Sequence, residues 1–509
     1  MNTYIIANGG CGERLTSVLM MLYQCGFYGI QNPINGVLIV DNDTTNPGKV
    51  YLETFIREIN SMNAAIRRPY PPIQSPSWSP MVAGTQSMGA LGRTGAELAA
   101  LSLISTREEL EQIIENKGFA GHVNIGVTIV NAALETEENK RIFEGFLNWA
   151  CPMDGGTQAR FIVVGSTHGG TGASLNTAIA ERIRRHYQGH DNIVEIYGLF
   201  MLSYYSIPEI AGGGEESGNK LHISPYQFRP SDIEALEGYR GKDLVNGTFN
   251  NILFCGYDPR ERTNLKHKEG GNDQDNKFSV AELLMCTGAY FIFAPNHLGV
   301  PQHEYLGINL TNNYDGRHLC WHNIPYSDRL QRCLARMGLF ACSMSEPDDT
   351  LVGSWGSLLI DNHGSMFNSL YYIQKKNFAD ERPVFFGIGG KALSFINRFW
   401  NMLFQFSTNV DGRWNENVVL FKREAFERCP NPVGFQWSGK NTVIDSTIIF
   451  FGSIFEGRIP TLTALDAEFR QALKDNPAQV ATASRVEDRG AAYFAALFRA
   501  CDKTYGLGE

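Results

Sequence analysis

Short apolar runs alternate with helical stripes along the first half of the chain. This alternation predicts βα units around a mostly parallel sheet. Residues 4–7 read as a short buried strand that stops at Asn8-Gly9-Gly10, after which Leu15, Val18, Leu19 and Leu22 share one helical face. Residues 36–40 form a second strand closing on Asp41-Asn42-Asp43, and Ser105 or Thr106 is placed to cap a helix over 108–116. Further strands are expected over 124–130, 161–164, 193–201 and 252–254, with helices over 137–150 and 175–187 between them. Residues 212–218 and 260–275 have no periodicity and read as loops. An apolar, helix-compatible stretch follows over 278–293, interrupted by Gly288. The second half is aromatic-rich and irregular. Strands are expected there over 384–387, 417–421 and 446–451, and helices over 463–473 and 491–501. The expected organisation is one α/β domain over 1–275, a connecting helix over 276–294 and a second domain over 295–509.

Composition narrows the class. A chain of 509 residues, 43% apolar and 19% charged, suits two packed domains rather than disorder. The net charge of −9 gives no electrostatic reason to expect nucleic acid or an anionic membrane as partner. Any phosphate would be held by local backbone dipoles and a metal ion. The ten cysteines lack paired spacing, and the N-terminus lacks the charged-then-apolar pattern of a signal peptide. No apolar run reaches the roughly 18 to 20 residues that span a bilayer. A cytoplasmic protein with reduced thiols is expected.

Two glycine clusters carry the candidate chemistry. Gly9-Gly10-Cys11-Gly12-Glu13-Arg14 opens the first helix, and the run from Gly165 through Thr167, His168, Gly169, Gly170, Thr171 and Gly172 to Ser174 opens the helix after the 161–164 strand. Glycine admits positive φ and removes Cβ, so successive amides can converge on one anion, and the helix behind adds its dipole. Two such turns at one end of a parallel sheet would make a phosphate cradle. Asp41 and Asp43, ending the second strand, would face the same crevice and hold Mg²⁺ through waters; taken alone, the same residues read as an Asx turn.

Other architectures fit less well. Residues 387–392 lack the spacing and hydroxyl of a Walker A loop. Gly10-Cys11-Gly12 begins a dinucleotide fingerprint, but Leu15 stands where its last glycine belongs. A nicotinamide-dependent oxidoreductase, with Asp41 on the ribose, stays open as a competitor, although it leaves the second glycine cluster unexplained. His318, Cys320 and His322 would meet on one face of a strand and suit zinc. No second ligand pair at zinc spacing follows them, so an ordinary strand is the commoner outcome.

These motifs resemble the tubulin/FtsZ superfamily over residues 1–200. Gly9 to Arg14 is similar to the tubulin loop G-Q-C-G-N-Q, with the cysteine in place, and Val40-Asp41-Asn42-Asp43 looks like V-D-L-E. His168 to Ser174 resembles the signature G-G-G-T-G-S-G, departing at its first and last positions and by alanine for serine between them. Residues 89–95 fall where that family senses the γ-phosphate, matching by position and glycine content. The resemblance implies a Rossmann-type parallel-sheet GTPase domain, a long central helix and a second α+β domain. It implies GTP or GDP on Gly10, Cys11 and Gly12 and on Thr167, His168, Gly169, Gly170, Thr171 and Gly172, with Gly92 and Arg93 at the γ-phosphate. Asn276 would meet the base and Tyr257 the ribose, although Tyr257 stands where the FtsZ pattern has asparagine.

Members of the family stack head to tail, and an acid after the central helix orients water on the neighbour's nucleotide. Residues 295–304 lack the family's N-x-D-x-x-D pattern; Glu304 is the one acid there and the catalytic candidate, while a solvated glutamate is the commoner fate. The expected function is guanine-nucleotide binding that drives filament assembly, with GTP hydrolysis left open. A nucleotide-gated regulatory subunit working with other proteins, defence systems included, is the alternative.

Overall fold

The computed structural model describes residues 1–43, 46–81, 87–91, 99–103, 105–111, 119, 123–168, 170–206, 228–256, 263–264, 277–308, 318–343, 378–408, 414–421, 468, 471–472 and 486–505. Contacts group the chain into two units that interleave in sequence. The first comprises Met1–Leu19, Gln31–Thr54 and Pro71–Asn309, and the second Met20–Ile30, Phe55–Tyr70 and Leu310–Glu509. Residues 277–294, expected to connect two domains, belong to the first unit.

The first unit is an α/β structure built on seven strands: β1 (Asn2–Asn8), β2 (Ile34–Val40), β3 (Ser77–Trp78), β4 (Ala159–Ser166), β5 (Val194–Met201), β6 (Asn251–Cys255) and β7 (Glu304–Gly307). They lie in the order β3-β2-β1-β4-β5-β6-β7 with every pairing parallel. The helices are α1 (Gly9–Gln24), α2 (Pro47–Ala65), α3 (Val123–Leu134), α4 (Glu137–Ala150), α5 (Gly170–His186), α6 (Phe228–Gly241), α7 (Val280–Gly288) and the single turn α8 (Tyr290–Phe293). The later turns of α1 and α2 fall in the second unit. The central strands are buried on both sides, so they read as continuous apolar runs rather than alternations. On one face Tyr4, Ile6, Leu38, Phe161 and Val163 pack with Ile129, Phe143, Leu147 and Ile179.

The expected strands at 161–164, 193–201 and 252–254 and the helix at 137–150 are present. The strand expected over 124–130 is instead helix α3. Its β-branched residues suggested a strand, but Ile125, Ile129, Val130, Ala133 and Leu134 are buried at helical spacing, while Val127 is 37% exposed. Tertiary packing overrides β-propensity there. The long connecting helix is also corrected: it starts at Val280, ends at Gly288 and resumes for one turn. A Cβ at Gly288 would sit 2.6 Å from Ile308. Residues 296, 297 and 298 then follow one another at φ of 50°, 49° and 54°, a left-handed turn that is costly for non-glycine residues.

The second unit is largely helical among the described residues, with α9 (Ser327–Ser343), α10 (Phe378–Phe406) and α11 (Val486–Thr504). Residues 384–387, expected as a strand, lie inside α10. That helix turns Phe395, Ile396, Phe399, Trp400 and Leu403 inward at spacings of three and four residues. Arg336 of α9 bonds Asp502 of α11 and the Cys25 carbonyl, and Phe55 stacks on Phe395 at 5.6 Å. Leu319–Cys320 pairs with Val418–Val419. The expectations at 212–218 and 446–451 lie outside the described residues, as does most of 260–275 and 463–473.

Candidate functional site

β1 passes into α1 with no intervening residue. Asn8 ends the strand, and Gly9 begins the helix at φ +65°. A side chain at Gly9 would be disfavoured twice, by the left-handed backbone and by a Cβ only 3.0 Å from Gly172 N. A Cβ on Gly12 would meet Val164 O at 2.5 Å, and one on Gly172 would meet Asn8 O at 3.0 Å. The two glycine turns therefore pack backbone against backbone. Register explains the meeting: Asn8 pairs with Val40, and Ala7 with Val164. Asp41, Gly9 and Ser166 thus leave three neighbouring strands at one level, about 4.8 Å apart.

The tip of the first turn is half-buried. From Thr3 to Cys25 every residue is buried except Gly10 and Cys11. Neither α1 nor α5 has an acid in its first turn. Asn8 gives its Nδ2 to Asn176 Oδ1 at 3.2 Å, and its own Oδ1 accepts no hydrogen bond. Burial pushes the Cys11 thiol up to about 11, so it stays neutral.

A polar network backs the turns. Arg14 donates to Glu282 Oε1 at 3.0 Å and to Tyr204 Oη at 2.7 Å; Tyr204 donates to the same Glu282 oxygen and lies 3.6 Å from Cys11 Sγ. Glu282 also closes the capping box of α7 by accepting from Ser279 N. Next to the second turn, Asp232 of α6 accepts from Thr167 Oγ1 at 2.5 Å, from Ser203 N at 2.8 Å and from Ser203 Oγ. His168 Nδ1 lies 3.5 Å from the same carboxylate. Burial alone would raise the Asp232 carboxyl, but the His168, Ser203 and Thr167 donors outweigh it and hold it below the ordinary carboxylate range.

An acidic group lies beside the first turn. Asp41, Asp43 and Glu13 are all buried. Asp41 accepts from Asp43 N at 3.0 Å and from Asn46 Nδ2 at 2.8 Å, the Asx-turn geometry. Both Glu13 carboxylate oxygens are buried without a hydrogen-bond partner. Burial pushes Asp41 up to about 6 and Glu13 well above its ordinary range, with Asp41 adding to the rise at Glu13. No three His, Cys, Asp or Glu among the described residues are placed to hold a metal directly. Hard oxygen donors, with the orphaned Glu13 carboxylate behind them, fit a hydrated divalent cation rather than a direct cage.

The structure thus brings together Gly10, Cys11, Gly12, Asp41, Asp43, Thr167, His168, Gly170, Thr171 and Gly172 at one end of the sheet. Gly92, Arg93, Gly169, Tyr257 and Asn276 lie outside the described residues. Glu304 is not brought to this site. It opens edge strand β7, exposed and level with Asn251, hence with Tyr197 and Ile162. That is roughly 13 Å short of Ser166 along the strands and three strands across. The strand ends at Cys320 and a 3-10 turn follows, and the three residues are not placed to hold a metal together; the thiol lies 3.1 Å from Asn323 Oδ1 and 3.5 Å from His322 Nε2. Glu13, Arg14, Tyr204 and Asp232 were missed. Glu13 and Arg14 are at least conspicuous as charges in a glycine loop, whereas Tyr204 and Asp232 carry no local signal.

No helix among the described residues is long and apolar enough to cross a membrane. No protein-family model matches the chain, and no curated protein matches it either.

Proposed function

We propose that the first unit binds a nucleotide polyphosphate, of the guanine class found in the tubulin/FtsZ superfamily that the motifs resemble. The observation that carries this reading is the interlocked pair of glycine turns. Gly12 admits no Cβ, Gly9 sits at positive φ and one at Gly9 or Gly172 would be crowded at 3.0 Å, yet Gly10 and Cys11 are only half-buried at the head of an otherwise buried helix. Backbone approach this close is useful where amides must face an anion. The phosphates lie over Gly10 to Gly12 and Gly170 to Gly172. Asp41 and Asp43 hold Mg²⁺ through water, and the ion neutralises phosphate charge. The protein self-associates head to tail. Glu304, away from the cradle of its own chain, could act only on a neighbour's nucleotide, and slow or absent GTP hydrolysis is consistent with the lack of any second acid in 295–304.

Thermal unfolding with GTP, GDP and NAD tests the binding. At a free concentration of 100 Kd the correct ligand stabilises the fold by about 2.7 kcal/mol. Stabilisation by NAD alone would transfer the site to a dinucleotide. Sedimentation with GTP and GDP tests the assembly, and a monomer under both conditions removes it.

A further inference from the structure

His168 stands where the resembled signature has glycine, and it is the one titratable side chain in the second turn. Its side chain is 1% exposed, and its Nδ1 faces Asp232, a carboxylate already holding Thr167 and Ser203. The other groups around it are Tyr204, whose ring lies 6.3 Å away, with Cys11, Arg14 and Glu282 bonded to or near that phenol; Tyr239 and Asp232 come from α6. Arg14 is matched by Glu282, so among the described residues the cation next to the second turn is His168 itself when protonated. One residue separates it from Gly170, where α5 begins.

We propose that His168, oriented by Asp232, supplies the positive charge that the second turn presents to a bound polyphosphate, so that a proton is taken up from solvent as the nucleotide binds. The proposal rests on the nucleotide reading above. The Asp232 carboxylate, held ionised by its donors, is an adverse charge beneath an anion site unless it is paired. Protonated His168 pairs it and leaves the turn neutral, while a neutral imidazole leaves one uncompensated negative charge there. A charge in this buried position acts on the phosphates through a low dielectric, without contact. Histidine is the side chain whose charge changes within pH 5 to 8. Asp41 and Glu13 also titrate near the cradle, but from the β2 side, so the signal of His168 is a difference between proteins.

Isothermal titration of the full chain with GTP in two buffers of different ionisation enthalpy counts the protons. The wild type takes up more protons than His168→Gln at neutral pH, and its GTP affinity falls about tenfold more than the variant's between pH 6 and pH 8. Asp232→Asn, which removes the partner charge but not the ring, reduces the uptake in the same sense. A purely structural role for His168 would change affinity without changing proton count. Equal proton counts in the wild type and a folded His168→Gln overturn the proposal and leave the nucleotide reading standing. No GTP binding by the wild type overturns both. Should His168→Gln fail to fold, the wild type and Asp232→Asn decide, and identical counts in those two overturn it.

Discussion

At the start of α4 and of α7 a side chain caps the helix; α1 and α5 each begin on glycine with no acid in the first turn. Thr136 accepts from Asn139 N, and Ser279 accepts from Ala281 N while Glu282 reaches back to Ser279 N. Those amides are satisfied within the fold. The first turn of α1 follows Asn8, whose Oδ1 accepts nothing, and α5 opens on Gly170 with no acid in its first turn. A helix start carries donors that a side-chain cap or an anion can meet, and under the proposed reading a phosphate takes that place at the two glycine-led starts.

The contrast can be broken from either side. The largest effect is expected from Gly12→Ala, where the new methyl would meet Val164 O at 2.5 Å. Denaturant unfolding should show a loss of about 3 kcal/mol, because backbone cannot move aside as a side chain can. Next, Gly10→Asp puts a carboxylate where the helix dipole welcomes it but phosphate does not. The unliganded melting temperature should hold, while the stabilisation of about 2.7 kcal/mol from saturating GTP disappears. A full GTP shift in Gly10→Asp would remove the cradle.

The acidic group gives a third effect. Asp41 is pushed up to about 6 by burial, so the folded state holds its proton more tightly than the unfolded chain. The associated stability is present below about pH 4 and is lost as pH rises through about 6, on the order of 3 kcal/mol. Unfolding free energies measured across this window should fall more steeply with pH in the wild type than in Asp41→Asn. The smallest effect is at a closed start. Ser279→Ala should cost about 1 kcal/mol and leave GTP binding untouched.

Much of the sheet was readable because buried parallel strands are short apolar runs ended by polar or glycine residues, as at 161–164 and 252–254. The meeting of the two glycine turns was readable for a related reason: glycines at a strand-to-helix junction serve backbone geometry, which is local. Asp232 and Tyr204 were not readable. They arrive from α6 and from the end of β5 as ordinary residues, and only the fold sets them beside His168 and Arg14. The misreadings at 124–130 and 384–387 have one cause. Runs rich in Val, Ile or Phe fit a strand or a buried helix equally well, and the exposure of Val127 decides between them only once neighbours are in place.

The opening at Gly10 and Cys11 also makes the protein its own gauge of occupancy. Cys11 is the only cysteine described in the first unit that is not fully buried. Its thiol, pushed up to about 11, reacts sluggishly at neutrality and faster in alkali. Under the proposed reading, a small alkylating reagent applied at alkaline pH would mark Cys11 in vacant molecules and spare it in filled ones, so labelling read at Cys11 itself, apart from the half-buried Cys320, reports the fraction empty.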